Sequence, residues 1–327
     1  MKSEKNSKEV VFYMIGFDIG GTKCAVSVGY ECNGNLVIEK KEIIPTDLSV
    51  SPYEMIERMC ILAESMTDDF SRIGISCGGP LSSADGMILS PPNLPGWDEV
   101  AINRYLTDRY QGKVALQNDA NACAIAEWKY GAGKGTNSMI FLTFGTGLGA
   151  GLILNGRLYA GASDMAGEAG HVRLRRTGPI GYGKQGSFEG FCSGNGIAQL
   201  GRAYAQKKLS CGEAVSFCAS PEQIAGITAK SIAARADEGF EDAREIYRHC
   251  GRMLGEGLSM LIDILNPEMI VIGSVFLRAE HLLRESMERV IAKEALPHAS
   301  RVCRVVPAGL GEKLGDYAAL SVAASIV

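Results

Sequence analysis

The sequence predicts an α/β protein of two domains, and three observations carry that expectation. Segments rich in β-branched and apolar residues alternate with segments of helical period from residue 10 to the C-terminus. A pattern of strand, glycine loop, strand, Asn-Gly turn and strand occurs twice, about 125 residues apart. The 327 residues suit two domains of roughly 150 residues each.

Residues 10–18 read as a strand. Cys24–Tyr30 and Leu36–Ile44 follow as two more, joined by Asn33-Gly34, a strong hairpin signal. A helix is expected over 53–66, a strand over Arg72–Cys77, and then a loop from Gly78-Gly79-Pro80 to near Trp97. A helix over 99–110, a strand over Val114–Gln117 and a helix over Ala120–Tyr130, ended by Gly131, complete the first half. The opening pattern then returns: strand Ser138–Phe144, loop Gly145–Gly149, strand Ala150–Leu154, turn Asn155-Gly156 and a strand from Leu158. Helices are expected over Ser193–Lys208, over Thr228–Asp237 with Thr228 as N-cap, and over Phe240–Leu265, which Asn266-Pro267 stops. Met269–Ile272 reads as a buried strand, 279–294 as a helix, Arg301–Val306 as a strand and 315–326 as a last helix.

Composition excludes several classes. Lys plus Arg is 33 against 37 for Asp plus Glu, a net charge of −4, so no cation excess exists to bind nucleic-acid phosphate. With 46% hydrophobic and 21% charged residues the chain is an ordinary globular one. None of the ten cysteines is spaced C-x-C or C-x-x-C, which removes zinc ribbons and thioredoxin-like motifs. The apolar run Val10–Phe17 is short for a signal segment, lacks a small-residue cleavage site and reads as strand. No stretch approaches the ~20 apolar residues of a membrane span. A reduced, cytoplasmic protein with no membrane or nucleic-acid partner is expected.

The 40 glycines are the unusual number. Gly20-Gly21-Thr22 and Gly145-Thr146-Gly147 occupy matching places in the repeat. One glycine hairpin is a tight turn; two matched copies, each with a threonine, favour backbone N–H groups gripping a phosphate chain. Gly131-Ala132-Gly133-Lys134 fails as a P-loop, since the required flanking places hold Trp128 and Gly135. Gly145-x-Gly147-x-x-Ala150 fails as a dinucleotide fingerprint, because it leads into a strand and not a helix.

Asp18 precedes the first loop, where a carboxylate near phosphate implies an intervening Mg²⁺. Asn118-Asp119 closes a strand and opens a helix, which suits either an N-cap or a general base. Glu168-x-x-His171 has metal-like spacing, but it is a single pair among glycines, so a polar loop binding hydroxyls is the better reading. Asn93 and Trp97 sit in a proline-rich loop that either lines a sugar pocket or is structural.

Together, Asp18-Ile19-Gly20-Gly21-Thr22-Lys23, Asn118-Asp119-Ala120-Asn121-Ala122, Gly145-Thr146-Gly147-Leu148-Gly149 and Gly167-Glu168-Ala169-Gly170-His171 resemble, in order, the motifs of the repressor–ORF–kinase (ROK) family of bacterial sugar kinases. Leu265-Asn266-Pro267 and Ile270-Val271-Ile272-Gly273 resemble its late strand. The resemblance runs from about residue 13 to 327. It implies an actin-like, ribonuclease H-like fold of two α/β domains around a nucleotide and sugar cleft. The smaller domain would be 1–118 plus 310–327, the larger 119–309, and the protein a homodimer. The resemblance makes Asp119 the catalytic base and places Asp18, Gly20, Gly21, Thr22, Lys23, Gly145, Thr146, Gly147 and Gly273 around MgATP. It puts Asn93, Asn118, Asp119, Glu168, His171 and Glu189 on the sugar. The implied activity is ATP-dependent phosphorylation of a hexose hydroxyl, O6, with glucose first and N-acetylhexosamines or β-glucosides behind it. The family's repressors carry a DNA-binding helix-turn-helix, for which the seventeen residues before Asp18 are too few; a non-catalytic sugar sensor is the remaining alternative.

Two departures stand out. Many relatives bind zinc through C-x-C-G-x-x-G-C-x-E and the motif histidine, but here the cysteine places hold Ile180, Tyr182 and Ser187. No structural zinc is expected, and packing of Ile180, Tyr182 and Phe188 is expected to hold the loop. Ser274 stands where relatives usually have a second glycine near the adenosine.

Overall fold

Two five-stranded sheets organise the chain, each within its own compact unit: Met1–Ala126 with Lys313–Val327, and Glu127–Glu312. The computed structural model describes residues 13–326; the expected strand start at 10–12 and the segment before it lie outside the described residues.

In the first unit β1 (Tyr13–Ile19), β2 (Lys23–Cys32) and β3 (Asn35–Pro45) form an antiparallel meander. Asn33 and Gly34 turn the second hairpin with φ of 51° and 71°, the double positive φ that such a two-residue turn demands. Helix α1 (Pro52–Glu64) starts where Ser51 accepts the Glu54 N–H at 3.2 Å, and it buries Met55, Ile56, Met59, Cys60 and Ala63. Strand β4 (Arg72–Cys77) runs parallel to β1. A short hairpin, β5 (Leu81–Ser82) and β6 (Met87–Ile88), occupies part of the expected loop. Helix α2 (Ile102–Tyr110) begins three residues later than expected, because Glu99 is left-handed and Val100 bridges to Ile88. Strand β7 (Lys113–Asn118) adds parallel to β4, giving the order β3-β2-β1-β4-β7. Helix α3 (Asp119–Tyr130) follows at once and carries the unit boundary within it. Its end is not a left-handed glycine cap, since Gly131 is not among the positive-φ residues.

The second unit repeats the scheme with β8 (Met139–Phe144), β9 (Leu148–Leu154) and β10 (Arg157–Leu158). Asn155 and Gly156 turn at φ of 53° and 69°, as their counterparts do. Strand β9 starts at Leu148, so the glycine loop is only Gly145–Gly147. A hairpin β11 (Ile180–Gly181) and β12 (Lys184–Gln185) precedes the short α4 (Phe188–Phe191) and α5 (Gly194–Ser210). Thr228 caps α6 (Ala229–Asp237) in a reciprocal capping box with Ser231. Helix α7 (Glu241–Leu265) buries Ile246, Tyr247, Cys250, Leu254, Leu258 and Ile262 along one stripe and ends at left-handed Asn266. After β13 (Met269–Ile272), α8 (Val275–Glu294) starts four residues before the expected position and is broken at Ala279. The short α9 (Pro297–Ser300) and β14 (Arg304–Pro307) complete the order β10-β9-β8-β13-β14. Here too, two parallel strands extend an antiparallel meander.

Helix α10 (Leu314–Ala323) returns to the first unit and lies on β1 and β4. It can do so because Gly16 and Gly74 face it. A methyl at Gly16 would lie 2.9 Å from the Leu320 nitrogen, and one at Gly74 would strike the backbone of Ala319 and Ala323. All ten cysteines are free thiols, and no described helix is long and apolar enough to cross a membrane.

Candidate functional site

Three parallel strands of the first unit end side by side, and ligands of open α/β sheets gather at such ends. Ile19, Cys77 and Asn118 share one register line across β1, β4 and β7, with Asp18, Ser76 and Gln117 one step back. Asp18 accepts a hydrogen bond from the Ser76 hydroxyl. Partial burial pushes its carboxyl up to about 6, the negative charge of Asp119 adds to this, and Ser76, Lys23 and Lys41 offset part of it.

Of the two readings of Asn118-Asp119, the N-cap is visible in the structure. Asn118 does the capping: its Oδ1 accepts the Ala120 N–H at 2.9 Å. Asp119 accepts the same N–H at 2.7 Å. Its side chain is open to solvent at the surface yet crowded by protein around it, and that desolvation raises its pKa against the pull of the Ala120 N–H. Neither Asp18 nor Asp119 forms an ion pair among the described residues.

The first glycine loop is pinned by the residue that follows β3. The Thr46 hydroxyl donates to the Gly20 carbonyl at 2.5 Å and the Thr46 N–H to Thr22 at 3.0 Å. Gly21 lies directly against the Asn93 backbone, where a methyl would strike the Asn93 carbonyl. The Asn93 side chain passes over Gly78, and Asn118 over Gly79, so this glycine pair is packed between two of the expected sugar-binding amides. Lys23, expected at the nucleotide, is an exposed first residue of β2. Trp97 is 2% exposed and belongs to the core; of the two readings of its loop, the structural one holds for Trp97.

In the second unit the Gly145 N–H donates to the Gly147 carbonyl at 3.0 Å, closing the glycine loop, and its carbonyl accepts the Gly194 N–H at 2.8 Å. The loop therefore abuts the start of α5. Behind it opens a cavity of about 740 Å³ between α5, α6, α7 and α8, with Thr146, Asn195, Lys230, Tyr247, Ser274 and Arg278 among its walls. A nucleoside phosphate suits that volume, its glycine-loop edge and its three cationic residues, Arg202, Lys230 and Arg278. Gly273 is buried under Phe141; the residue on the cavity wall is its neighbour Ser274.

Gly167 to His171 wrap against β9: the Ala150 N–H donates to Gly167 at 3.0 Å, and Gly170 packs on the Leu148 carbonyl. Glu168 and His171 are exposed there. Glu189 reaches the same strand, accepting the Leu148 N–H at 3.0 Å. The loop from 179 to 188 is held otherwise than expected. Ile180 is 54% and Tyr182 71% exposed, and only Phe188 packs in the core. Hydrogen bonds replace the expected packing: Gln199 clasps both the N–H and the carbonyl of Ile180 at 2.9 Å, and Ser187 caps α4 through the Gly190 N–H at 3.1 Å. Lys184 reaches the His171 carbonyl at 2.8 Å.

Glu127 has a structural role that was not legible in the sequence. It is fully buried and its carboxylate accepts the N–H groups of Ala132, Gly309 and Leu310 at 2.8, 3.0 and 2.9 Å. Its one sequence signal is a lone acid in the otherwise apolar run Ala122–Trp128.

The model of the ROK family matches residues 14–325. The chain belongs to the ROK family. The glucokinase of Thermotoga maritima is 30% identical over 312 residues, covering 94% of this chain and 96% of that one. A xylose repressor from Caldicellulosiruptor bescii is 29% identical over 240 residues, 73% of this chain and 59% of the repressor. Among solved structures, a ROK family glucokinase from Streptomyces griseus in complex with glucose and AMPPNP superposes with a TM-score of 0.73 at 26% identity, covering 96% of this chain and 100% of that one. The fold is thus the actin-like kinase fold of this ROK family, with two mixed five-stranded sheets.

Proposed function

We propose that this ROK protein is an ATP-dependent hexose kinase, with glucose as the first candidate and O6 as the attacking hydroxyl. The observation that carries this reading is Asp119: a carboxylate at the end of a parallel strand, its pKa raised and no cation paired with it. Such a group is suited to take a proton. Asp119 removes the hydroxyl proton, the sugar oxygen bonds to the γ-phosphorus, and the bond to the β-phosphate breaks to release ADP. The glucokinase relatives and the glucose and AMPPNP bound in the related structure support this choice of substrates.

Phosphoryl transfer asks for positioning and charge neutralisation. Thr22 and Gly21 in the first glycine loop, and Thr146 and Gly147 in the second, are assigned to phosphate through their backbone N–H groups, while the Gly20 and Gly145 N–H groups close their own loops. Asp18, ionised at neutral pH beside the Asp119 charge, fits a cation, and Mg²⁺ there would offset charge along the phosphates. Asn93, Asn118, Glu168, His171 and Glu189 are assigned to sugar hydroxyls. His171 has no thiolate neighbours at positions 180, 182 or 187 and is assigned as a hydrogen-bonding group.

An assay of ADP release across glucose, other hexoses, N-acetylhexosamines and β-glucosides tests the reading. Glucose should give the highest kcat/KM. Asp119→Asn should lower turnover by roughly 10²–10⁴ while sugar binding persists; near-normal turnover refutes the base. Sugar binding with no ADP release from any sugar refutes the kinase and leaves a sensor.

A further inference from the structure

Ser274 occupies a backbone conformation that belongs to glycine. Its φ is 52° and ψ −108°, and the Phe276 N–H closes the turn on the Gly273 carbonyl at 3.2 Å. That is the first central position of a type II′ turn, where a side chain is strained. A residue held there at a cost in stability calls for a return elsewhere.

That return is not local. Ser274 immediately precedes α8, yet its hydroxyl makes no cap bond to the helix. It lines the 740 Å³ cavity at the edge that the second glycine loop also lines. A methyl placed on Gly145 would sit 3.5 Å from the Ser274 hydroxyl. The hydroxyl is therefore presented to whatever lies along the Gly145–Thr146 backbone.

We propose that the Ser274 hydroxyl is a donor-binding group of this protein, hydrogen-bonded to a phosphate oxygen of the nucleotide. The inference rests on the cavity being the nucleotide site. Phosphate is favoured over ribose because the hydroxyl faces the glycine loop, and because that stretch of wall also holds the first residues of α5 and α8.

Ser274→Gly and Ser274→Ala separate the strain from the hydroxyl. Each variant is compared with wild type by calorimetric binding of ADP with Mg²⁺, binding of adenosine, thermal melting, and KM for ATP and for sugar. Ser274→Gly should melt about 1–4 °C higher yet bind ADP about tenfold more weakly. Ser274→Ala should lose the same ADP affinity without the gain in melting temperature. Adenosine binding and sugar KM should not move, and ATP KM should rise with the ADP constant.

Wild-type affinity for ADP in both variants overturns the role of Ser274 while the nucleotide site stands. Equal losses for adenosine and ADP overturn the phosphate contact. No ADP binding by the wild type overturns the nucleotide site and this role together.

Discussion

The carboxylate of Glu189 accepts the backbone N–H of Leu148 at 3.0 Å. A residue assigned to the sugar is thereby tied to the strand that leaves the second glycine loop. Gly147 lies so close that a methyl there would sit 2.7 Å from the same carboxylate oxygen. One oxygen of Glu189 is thus committed to the loop.

Removing that acceptor strands a buried N–H, since Leu148 is 4% exposed. Glu189→Ala should destabilise the protein by about 1–3 kcal/mol in urea titration and raise sugar KM. Glu189→Gln keeps a carbonyl for Leu148 and should lose less than half as much stability. Equal stability of Glu189→Ala and wild type would contradict the tie.

Asp18 makes stability depend on pH with a definite sign. Its folded pKa of about 6 lies above the ordinary 3.8, so its contribution is favourable below about pH 4 and is lost as pH rises through 6. At neutral pH the ionised carboxylate is a net cost beside Asp119. Asp18→Asn should therefore stabilise the ligand-free protein at pH 7.5 by about 1–3 kcal/mol and leave it unchanged at pH 4. The same change should abolish stabilisation by MgATP. Wild-type kcat/KM should fall below about pH 6, as Asp18 gains its proton. A profile flat to pH 5 would remove the Asp18 carboxylate from the mechanism.

Glu127 holds three backbone N–H groups from two separate stretches of the second unit. Glu127→Ala leaves all three buried without an acceptor and should cost about 3–5 kcal/mol. Denaturant midpoints compared at constant m-value measure this. A loss under 1 kcal/mol would mean that water replaces the carboxylate.

The loop from 179 to 188 offers Ile, Tyr and Ser where thiolates would bind metal. Metal analysis of the purified protein should find zinc well below one per chain, and EDTA should leave the melting temperature unchanged. Gln199→Ala, by contrast, frees both polar groups of Ile180 and should lower the melting temperature and raise sugar KM. Zinc bound one per chain would refute the metal-free loop.

Much of the fold was legible because its signals are local. Asn33-Gly34 and Asn155-Gly156 carry their positive φ in adjacent residues, and the stripe of α7 is a helical period. The repeat could be read only as far as its hairpins. That β13 and β14 match β4 and β7 became visible in strand order alone, because parallel pairing joins residues far apart in sequence.

The candidate site divides in the same way. Asp18, Asp119 and the two glycine loops were named from residue type and spacing, whereas two of the three partners of Glu127, Gly309 and Leu310, lie some 180 positions away and leave no local pattern. Ile180 and Tyr182 misled for a related reason: apolar side chains suggest packing, but their loop is closed by Gln199 and Ser187.

By itself, the sequence determined the α/β class of fold, the paired glycine loops and the carboxylates placed next to strand ends, all from short-range backbone and side-chain preferences. The tertiary structure decided which neighbour each group meets. It placed Asp119 beside Asp18, seated α10 on Gly16 and Gly74, and turned Ser274 toward the second glycine loop. Those outcomes depend on packing between distant segments, where a single methyl group or one hydrogen-bond acceptor sets what can approach.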